Sequence, residues 1–387
     1  MKKQTLSLLN QPKPEPDEPP LPVPPVRRGK KTIDKTEGEA GEGKAEPYRH
    51  AQMELFRTFT ANAEDERDRL SNVIEFWDGV PRYSFTQKEM AKMRDEKGVL
   101  RPIDVEFRYG GKEFIAQIHA ASVFDEETKS FVDYYPSANE ELVEDALRKI
   151  ALKQMQSFFE ENPNLKPRSG VSFSMYELRE ELAAHGHSRS YHQILQSLAI
   201  LSRSHLIISQ MENGEKTAMM AANYLPALEM PFYMPLEKRP KDTTRDLWGA
   251  MFHPLVTRGI RAQTYRQYDY AALMELPTQL ARWLLKQLHL KFTFASRFGN
   301  PFKICYSTIK RDSNLLNSSE ERSNRYDVEM ALMKLVEAKV LRDFDRQTVF
   351  DDVNKRKIVE VIYLLHPAAE FVDEVRQANT RQKLEKK

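Results

Sequence analysis

The sequence predicts an α+β protein in which a disordered, proline-rich N-terminal tail precedes two tandem winged-helix domains. Two stretches, Phe173–Tyr224 and Pro301–Leu365, each run helix, polar turn, second helix and strand pair. Eight prolines lie between Pro12 and Pro25, followed by a Gly/Glu/Lys stretch that carries no core-forming residues. Apolar residues alternate on either side of Gly110-Gly111, the pattern of a β-hairpin.

The tail runs to about Pro47, and such a composition buries too little apolar area to offset its ordering entropy. Its basic run Arg27–Lys31 could touch DNA phosphates, but reads first as a solvated cluster. The organisation that follows is a tether over 1–48, a short motif and linker over 49–75, a first winged-helix domain over 76–235, a second over 241–367, and a charged helix over 368–387. At 387 residues there is room for two or three domains. A net charge of +2 with 30% charged residues means that nucleic-acid contacts must come from local basic patches. The single Cys305 excludes a disulfide framework and fits a reducing cytoplasm. Leu6–Leu9 is too short for a signal peptide, and no stretch approaches a membrane span, so a cytoplasmic protein is expected.

In the first unit, Val105, Phe107 and Tyr109 alternate into the Gly110-Gly111 turn, and Phe114, Ala116, Ile118 and Ala120 alternate back. A helix carrying Val143, Ala146, Leu147 and Ile150 should underlie the helix-turn-helix. Its first helix spans Phe173–Leu182 and stops at Gly186. The second starts at Ser188, with Ile194, Leu195, Leu198 and Leu201 on one stripe. Strands Leu206–Gln210 and Thr217–Tyr224 turn at Asn213-Gly214. Prolines over Pro226–Pro240 mark the boundary.

In the second unit, Tyr265–Tyr270 reads as a strand and Thr278–Leu290 as a helix with Leu280, Trp283, Leu284 and Leu288 on its apolar face. Tyr306–Leu315 and a long helix ending near Ala338 form the second helix-turn-helix. Ser318 and Glu321 make a capping-box pattern at the start of the long helix, and Val328, Leu332, Leu335 and Val336 make its buried stripe. Val340–Phe344 and Ile358–Leu365 are expected as wing strands joined across Asn354–Lys357.

Helix phasing selects outward residues. With Leu198 inward, Arg189, His192, Gln193, Gln196 and Arg203 point away from the core. With Leu332 inward, Ser323 and Tyr326 face out, Arg322 lies on the flank and Arg325 near the exposed end of the stripe. Arg pairs with guanine edges and Gln with adenine, and either class of residue can also be an ordinary solvated position. Lys310, Arg311, Lys355, Arg356 and Lys357 suit phosphate contacts, or serve simply as soluble surface.

Gln52-Met53-Glu54-Leu55-Phe56 fits the pattern Gln-(Leu/Met)-x-Leu-Phe of peptides that bind the bacterial sliding clamp. Leu55 and Phe56 would enter an apolar pocket while Gln52 meets its rim. The alternative is that Met53, Leu55, Phe56 and Phe59 begin the first folded domain. Gln4–Leu9 is a looser string of the same kind.

No chemistry-bearing constellation accompanies these motifs. There is no Walker loop, His185, His187 and His192 lack further ligands for a metal, and His289 is followed by Leu290-Lys291 rather than a second histidine. A non-enzymatic protein without cofactor or metal is expected.

Phe173–Leu178, Ser188–Tyr191, Leu276–Trp283 and the Gln52–Phe56 pattern ahead of them resemble the TrfA-type plasmid replication initiators, theta-replicating proteins that bind iterons. Phe252–Val256, Tyr265–Tyr270 and Leu280–Trp283 are similar to initiators of other theta-replicating plasmids. The resemblance covers about Gln52 to Leu365. It implies binding to direct repeats in double-stranded origin DNA, help in opening the origin, recruitment of the host helicase, host initiator and sliding clamp, and a homodimer formed through the first winged-helix domain. It also implies a bacterial, plasmid-associated location. Carried over, Arg189–Gln196 and Arg322–Tyr326 would read repeat bases and Gln52–Phe56 would bind the clamp. A winged-helix transcriptional repressor, including one that represses its own gene, is the competing reading. An origin nickase is a third, which the missing nicking constellation disfavours.

Overall fold

The computed structural model describes residues 69–125, 129–153, 157–160, 166–230, 247–292 and 301–385. The proline-rich tail, Gln52–Phe56 and Gln4–Leu9 lie outside them. The described chain is α+β. β1 (Leu70–Ile74) is buried throughout and leads to a 3-10 turn at Trp77–Gly79 and to α1 (Gln87–Met93), which is closed by a Thr86/Glu89 capping box.

β2 (Ile103–Tyr109) and β3 (Lys112–His119) form the expected hairpin. Its turn residues Gly110 and Gly111 both have positive φ, which side chains disfavour. β4 (Ala121–Asp125) and β5 (Ser130–Tyr134) form a second hairpin, and α2 (Ala138–Lys153) follows it in the chain. β6 (Ser157–Glu160) and β7 (Arg168–Ser174) then lead into the first helix pair, α3 (Met175–Ala184) and α4 (Tyr191–Arg203). β8 (His205–Glu212) and β9 (Glu215–Asn223) turn at Asn213-Gly214, again with both φ positive. One four-stranded sheet has the order β2-β3-β8-β9.

β10 (Leu228–Glu229) and β11 (Leu247–Met251) join β7 and β6 in a second four-stranded sheet, ordered β10-β11-β7-β6. α5 (Pro254–Arg261) follows, and β12 (Tyr265–Asp269) pairs antiparallel with β1, so the first described strand is tied to the middle of the chain. After α6 (Tyr270–Met274) comes α7 (Gln279–Lys291), which is buried from Leu280 to Leu290. β13 (Phe302–Cys305), α8 (Tyr306–Ser313), α9 (Glu321–Glu337), β14 (Leu341–Phe350) and β15 (Ile358–Pro367) repeat the strand, helix, helix, hairpin order of the first half. Here the three strands form their own sheet, β13-β15-β14. In the first half the corresponding strand β7 pairs instead with β6 and β11. α10 (Ala369–Glu385) buries Phe371, Val372, Val375 and Ala378 and packs along β12.

Two sequence expectations fail for local reasons. Leu195 is 42% exposed, whereas Ile194, Leu198 and Leu201 are buried. At 100° per residue the buried arc centres between Ser197 and Ile194, and Leu195 falls well outside it. Ser318 and Glu321 do not cap α9, because the helix begins at Glu321 itself with Glu320 at the N-cap and no side-chain cap bond. Glu321 instead accepts bonds from Tyr306 and Lys310, drawing α9 onto α8.

α7 shows what the apolar stripe leaves out. Besides Leu280, Trp283, Leu284 and Leu288, it buries Arg282, Lys286, Gln287 and His289. The cations are matched by α2. Lys286 Nζ lies 2.7 Å from Asp145 and 3.2 Å from Glu141, and Arg282 reaches Glu141 at 3.5 Å. The seam continues through Arg148 to Asp78 at 2.8 Å, from Asp78 to Arg82 at 3.2 Å, and from Arg82 to Glu144 at 2.9 Å. Burial alone would raise the Asp78 carboxyl, but Arg148, Lys286 and Arg82 hold it far below its ordinary value. Burial opposes the Lys286 charge as well, and Asp145, Glu141 and Asp78 outweigh it.

Candidate nucleic-acid interface

α3 starts where Ser174 accepts from Glu177 N–H at 3.1 Å while the Glu177 carboxylate accepts from Ser174 N–H at 3.4 Å. It ends at Gly186, whose φ of 80° lets His187 N–H return to Leu182 O at 2.9 Å. α4 starts with the same reciprocal cap, Ser190 with Gln193. Burial of Ile194, Leu198 and Leu201 on α4, at roughly 2 kcal/mol per side chain, fixes the helix rotation on the core. Ser197 Oγ adds a bond to Glu140 of α2 at 2.7 Å.

That rotation sorts the outward residues of the first half. His192 is exposed and Gln196 half-exposed on the outer face of α4. Gln193 is exposed, but its carbonyl oxygen is spent on the cap at 2.9 Å, which leaves its NH₂ to donate. Arg189 donates to Asn139 Oδ1 at 2.9 Å, and Arg203 donates to Ser122 O at 3.2 Å, so both are anchored to the scaffold rather than projecting alone. Sequence reasoning missed Tyr191, 43% exposed beneath the Arg179 guanidinium at 4.8 Å, and the exposed Leu195. An exposed Leu on such a face offers apolar contact to a thymine methyl.

In the second half, α8 ends at Asn314 in the left-handed region. The turn to α9 is held by the buried Asn324, whose Nδ2 donates to Ser318 O at 2.9 Å while its Oδ1 accepts from Ser318 N–H at 3.0 Å. This bidentate clasp carries no periodicity signal, and only an Asn inside an apolar stripe hinted at it. Burial of Val328, Ala331, Leu332 and Leu335 sets the helix rotation. Arg322 is exposed, Tyr326 is 60% exposed, and Ser323 is half-exposed. Arg325 lies over the Tyr306 ring at 5.9 Å.

The predicted phosphate contacts divide. Lys310 is paired with Glu321, and Arg311 with Asp312 at 2.7 Å, so each would have to exchange a carboxylate for a phosphate. Lys355, Arg356 and Lys357 are exposed in the turn between β14 and β15, with Lys355 3.6 Å from Asp352. An exposed pair at that distance contributes little and gives way readily to a phosphate. Val353 projects almost entirely into solvent from the same turn.

The three histidines considered as metal ligands are dispersed in role. His185 sits 3.6 Å from Glu181, His187 bonds Met274 O at 2.7 Å, and His192 is exposed on α4. Among the described residues no group of three or more His, Cys, Asp or Glu could hold a metal ion, and no helix is long and apolar enough to cross a membrane.

No protein-family model matches this chain, and no curated protein matches it. Among solved structures, domains 2 and 3 of RctB match at a TM-score of 0.45 with 12% identity, over 75% of this chain and 97% of that one. A second structure of RctB domains 2–3 matches at 0.41 with 10% identity, over 73% and 97%. The Pi initiator protein in complex with iteron DNA matches at 0.37 with 14% identity, over 60% and 94%. At such scores the likeness by itself assigns neither fold nor function to this chain.

Proposed function

We propose that the chain is a plasmid replication initiator of the iteron-binding kind, with each half acting as a winged-helix module. In this reading α4 and α9 enter the major groove on successive turns of directly repeated origin DNA, and the β14–β15 turn rests on phosphates. The observation that carries it is the repeated order of strand, two helices and hairpin, with a polar outer face on the second helix each time. His192, Gln193 and Gln196 supply base contacts from the first helix, and Arg322, Ser323 and Tyr326 from the second. Arg189, Arg203 and Arg325 are scaffold-anchored and act at the rim. Lys310, Arg311, Lys355, Arg356 and Lys357 neutralise phosphates. Bidentate side-chain contacts to bases discriminate by about 1–3 kcal/mol each, while phosphate contacts position without reading sequence.

Its role is binding rather than catalysis. In the seam between α2 and α7 the buried carboxylates are matched by cations, which holds Asp78 and Glu144 below their ordinary pKa and suits structure rather than proton transfer. The Gln52–Phe56 pattern adds recruitment of a sliding clamp, and the resemblance to TrfA-type initiators adds the host helicase, the host initiator and homodimerisation through the first half. An autorepressor would use the same DNA face, and the clamp pattern favours the initiator. Gel shifts with tandem repeats from its own replicon test the proposal. Preferential retardation of repeat DNA, weakening steeply with salt, is expected. Equal affinity for repeat and scrambled duplexes would reject it.

A further inference from the structure

A groove of about 470 Å³ opens between the face of the β2-β3-β8-β9 sheet and α5. Its volume falls in the range of pockets that hold a ligand, roughly 300–1,000 Å³. Phe76 forms its aromatic floor, with ring centroids 4.9 Å from Phe114 and 5.3 Å from Tyr109. Ile208 and Met220 wall it on the sheet side and Leu255 on the helix side. Gly259 belongs to the same wall, and a Cβ there would meet Ile74 Cγ2 at 2.4 Å, so α5 is seated as close to β1 as it can be. The charges at the groove are unequal. Glu75 is 3.2 Å from Arg266, whereas the exposed Arg258 guanidinium forms no hydrogen bond or ion pair among the described residues.

An apolar trough with one uncompensated cation calls for bulky apolar side chains beside a single carboxylate. Glu54-Leu55-Phe56 has that composition. Thirteen residues separate Phe56 from Leu70, and at 3.3–3.6 Å each they span up to roughly 45 Å. The groove begins at Glu75 and Phe76, directly beyond the end of β1, a strand of five residues that covers roughly 17 Å. The tether is therefore long enough, and tethering raises the local concentration of the segment to about the millimolar range.

We propose that Leu55 and Phe56 occupy this groove in cis, with Glu54 facing Arg258. A segment held there is withheld from any other partner, so the groove is an autoinhibitory seat for the Gln52–Phe56 motif. That last step rests on the clamp-binding reading, whereas occupancy of the groove does not.

The test is fluorescence anisotropy of a labelled peptide spanning Tyr48–Thr60, titrated with full-length protein. The wild-type chain, its groove filled by its own segment, is expected to bind the peptide weakly. Leu55→Ala with Phe56→Ala in the full chain vacates the groove, and peptide affinity should rise at least about tenfold. Adding Arg258→Glu to that variant should abolish the gain, while Arg258→Lys should keep part of it; Arg258 is exposed, so both substitutions leave the fold intact. Equal peptide binding by wild type and the double variant would overturn the proposal, as would indifference to Arg258→Glu. Sedimentation that shows wild type exchanging the segment between two copies would also overturn occupancy in cis. A separate arm measures sliding-clamp affinity of the otherwise wild-type Arg258→Glu chain, expected to rise. Failure of that arm with success of the first refutes only the clamp reading.

Discussion

Lys286 on α7 lies 2.7 Å from Asp145 on α2, and both side chains are almost wholly buried. These two helices occupy the same place in the two halves of the chain, each ahead of its own strand, helix pair and hairpin. The ion pair therefore bonds the scaffold of one half directly to the scaffold of the other. Removing one partner of a buried pair leaves an uncompensated charge, which costs about 3–5 kcal/mol.

Lys286→Met is accordingly expected to lower unfolding stability by about 3 kcal/mol, towards the low end because Arg148 and Arg282 still reach Asp145 and Glu141. Urea denaturation measures it. Lys303→Met, at an exposed position, serves as the control and should change stability by less than about 0.5 kcal/mol. Comparable effects of the two would mean that the seam carries no net interaction.

Asn324→Ala removes both bonds to the Ser318 backbone and should cost about 1–3 kcal/mol. Because the clasp sets how α9 leaves the turn, repeat affinity should fall although Asn324 faces the core. Asn324→Asp, which keeps the acceptor and loses the donor, should fall between the two. A gel shift unchanged by Asn324→Ala would separate the turn from DNA recognition.

Glu374 gives the C-terminal helix a pH dependence. Its carboxylate accepts from Asp269 N–H at 2.7 Å and lies 3.8 Å from His289, whose ring burial pushes down to about 3. Burial raises the Glu374 carboxyl from 4.5 to about 7. The folded state thus binds the proton more tightly than the unfolded chain, so this stabilisation is full below about pH 4.5 and is lost as pH rises through 7. Glu374→Gln should abolish the loss and make the protein more stable than wild type at pH 8, by at most about 3 kcal/mol. Thermal unfolding at pH 5 and pH 8 reads this directly; a Gln variant with an undiminished pH slope would contradict it.

Hairpin turns, helix order and most core stripes were legible because they follow from glycine placement and from periods of two and 3.6 residues. Leu195 was misplaced because its three- and four-residue spacing from Leu198 and Tyr191 resembles a stripe until the buried arc is known. The Ser318/Glu321 pattern satisfied the spacing of a capping box, yet Glu321 found a cation and a phenol on α8, a tertiary competitor that no local rule contains. The ion seam was invisible for the same reason. Asp78, Arg82, Glu144, Arg148 and Lys286 are scattered along the chain among many other charges, and only the packing of α2 on α7 brings them together.

Contacts by α4 are expected to be apolar as well as polar. Leu195→Ala should weaken repeat binding by up to about tenfold without loss of stability, since its side chain is already exposed. Isothermal titration of the repeat duplex measures the first and urea unfolding the second. A drop in stability with unchanged affinity would return Leu195 to the core.

The most direct measurement is hydroxyl-radical footprinting on tandem repeats, comparing wild type with a His192→Ala/Gln196→Ala pair and an Arg322→Ala/Tyr326→Ala pair. All four residues lie on the outer faces of α4 and α9, apart from the core. Wild type should protect two adjacent turns of one face of the duplex, and each pair should erase protection on one turn while the other persists. Protection that disappears from both turns together, or from neither, would contradict two independent reading heads in this chain.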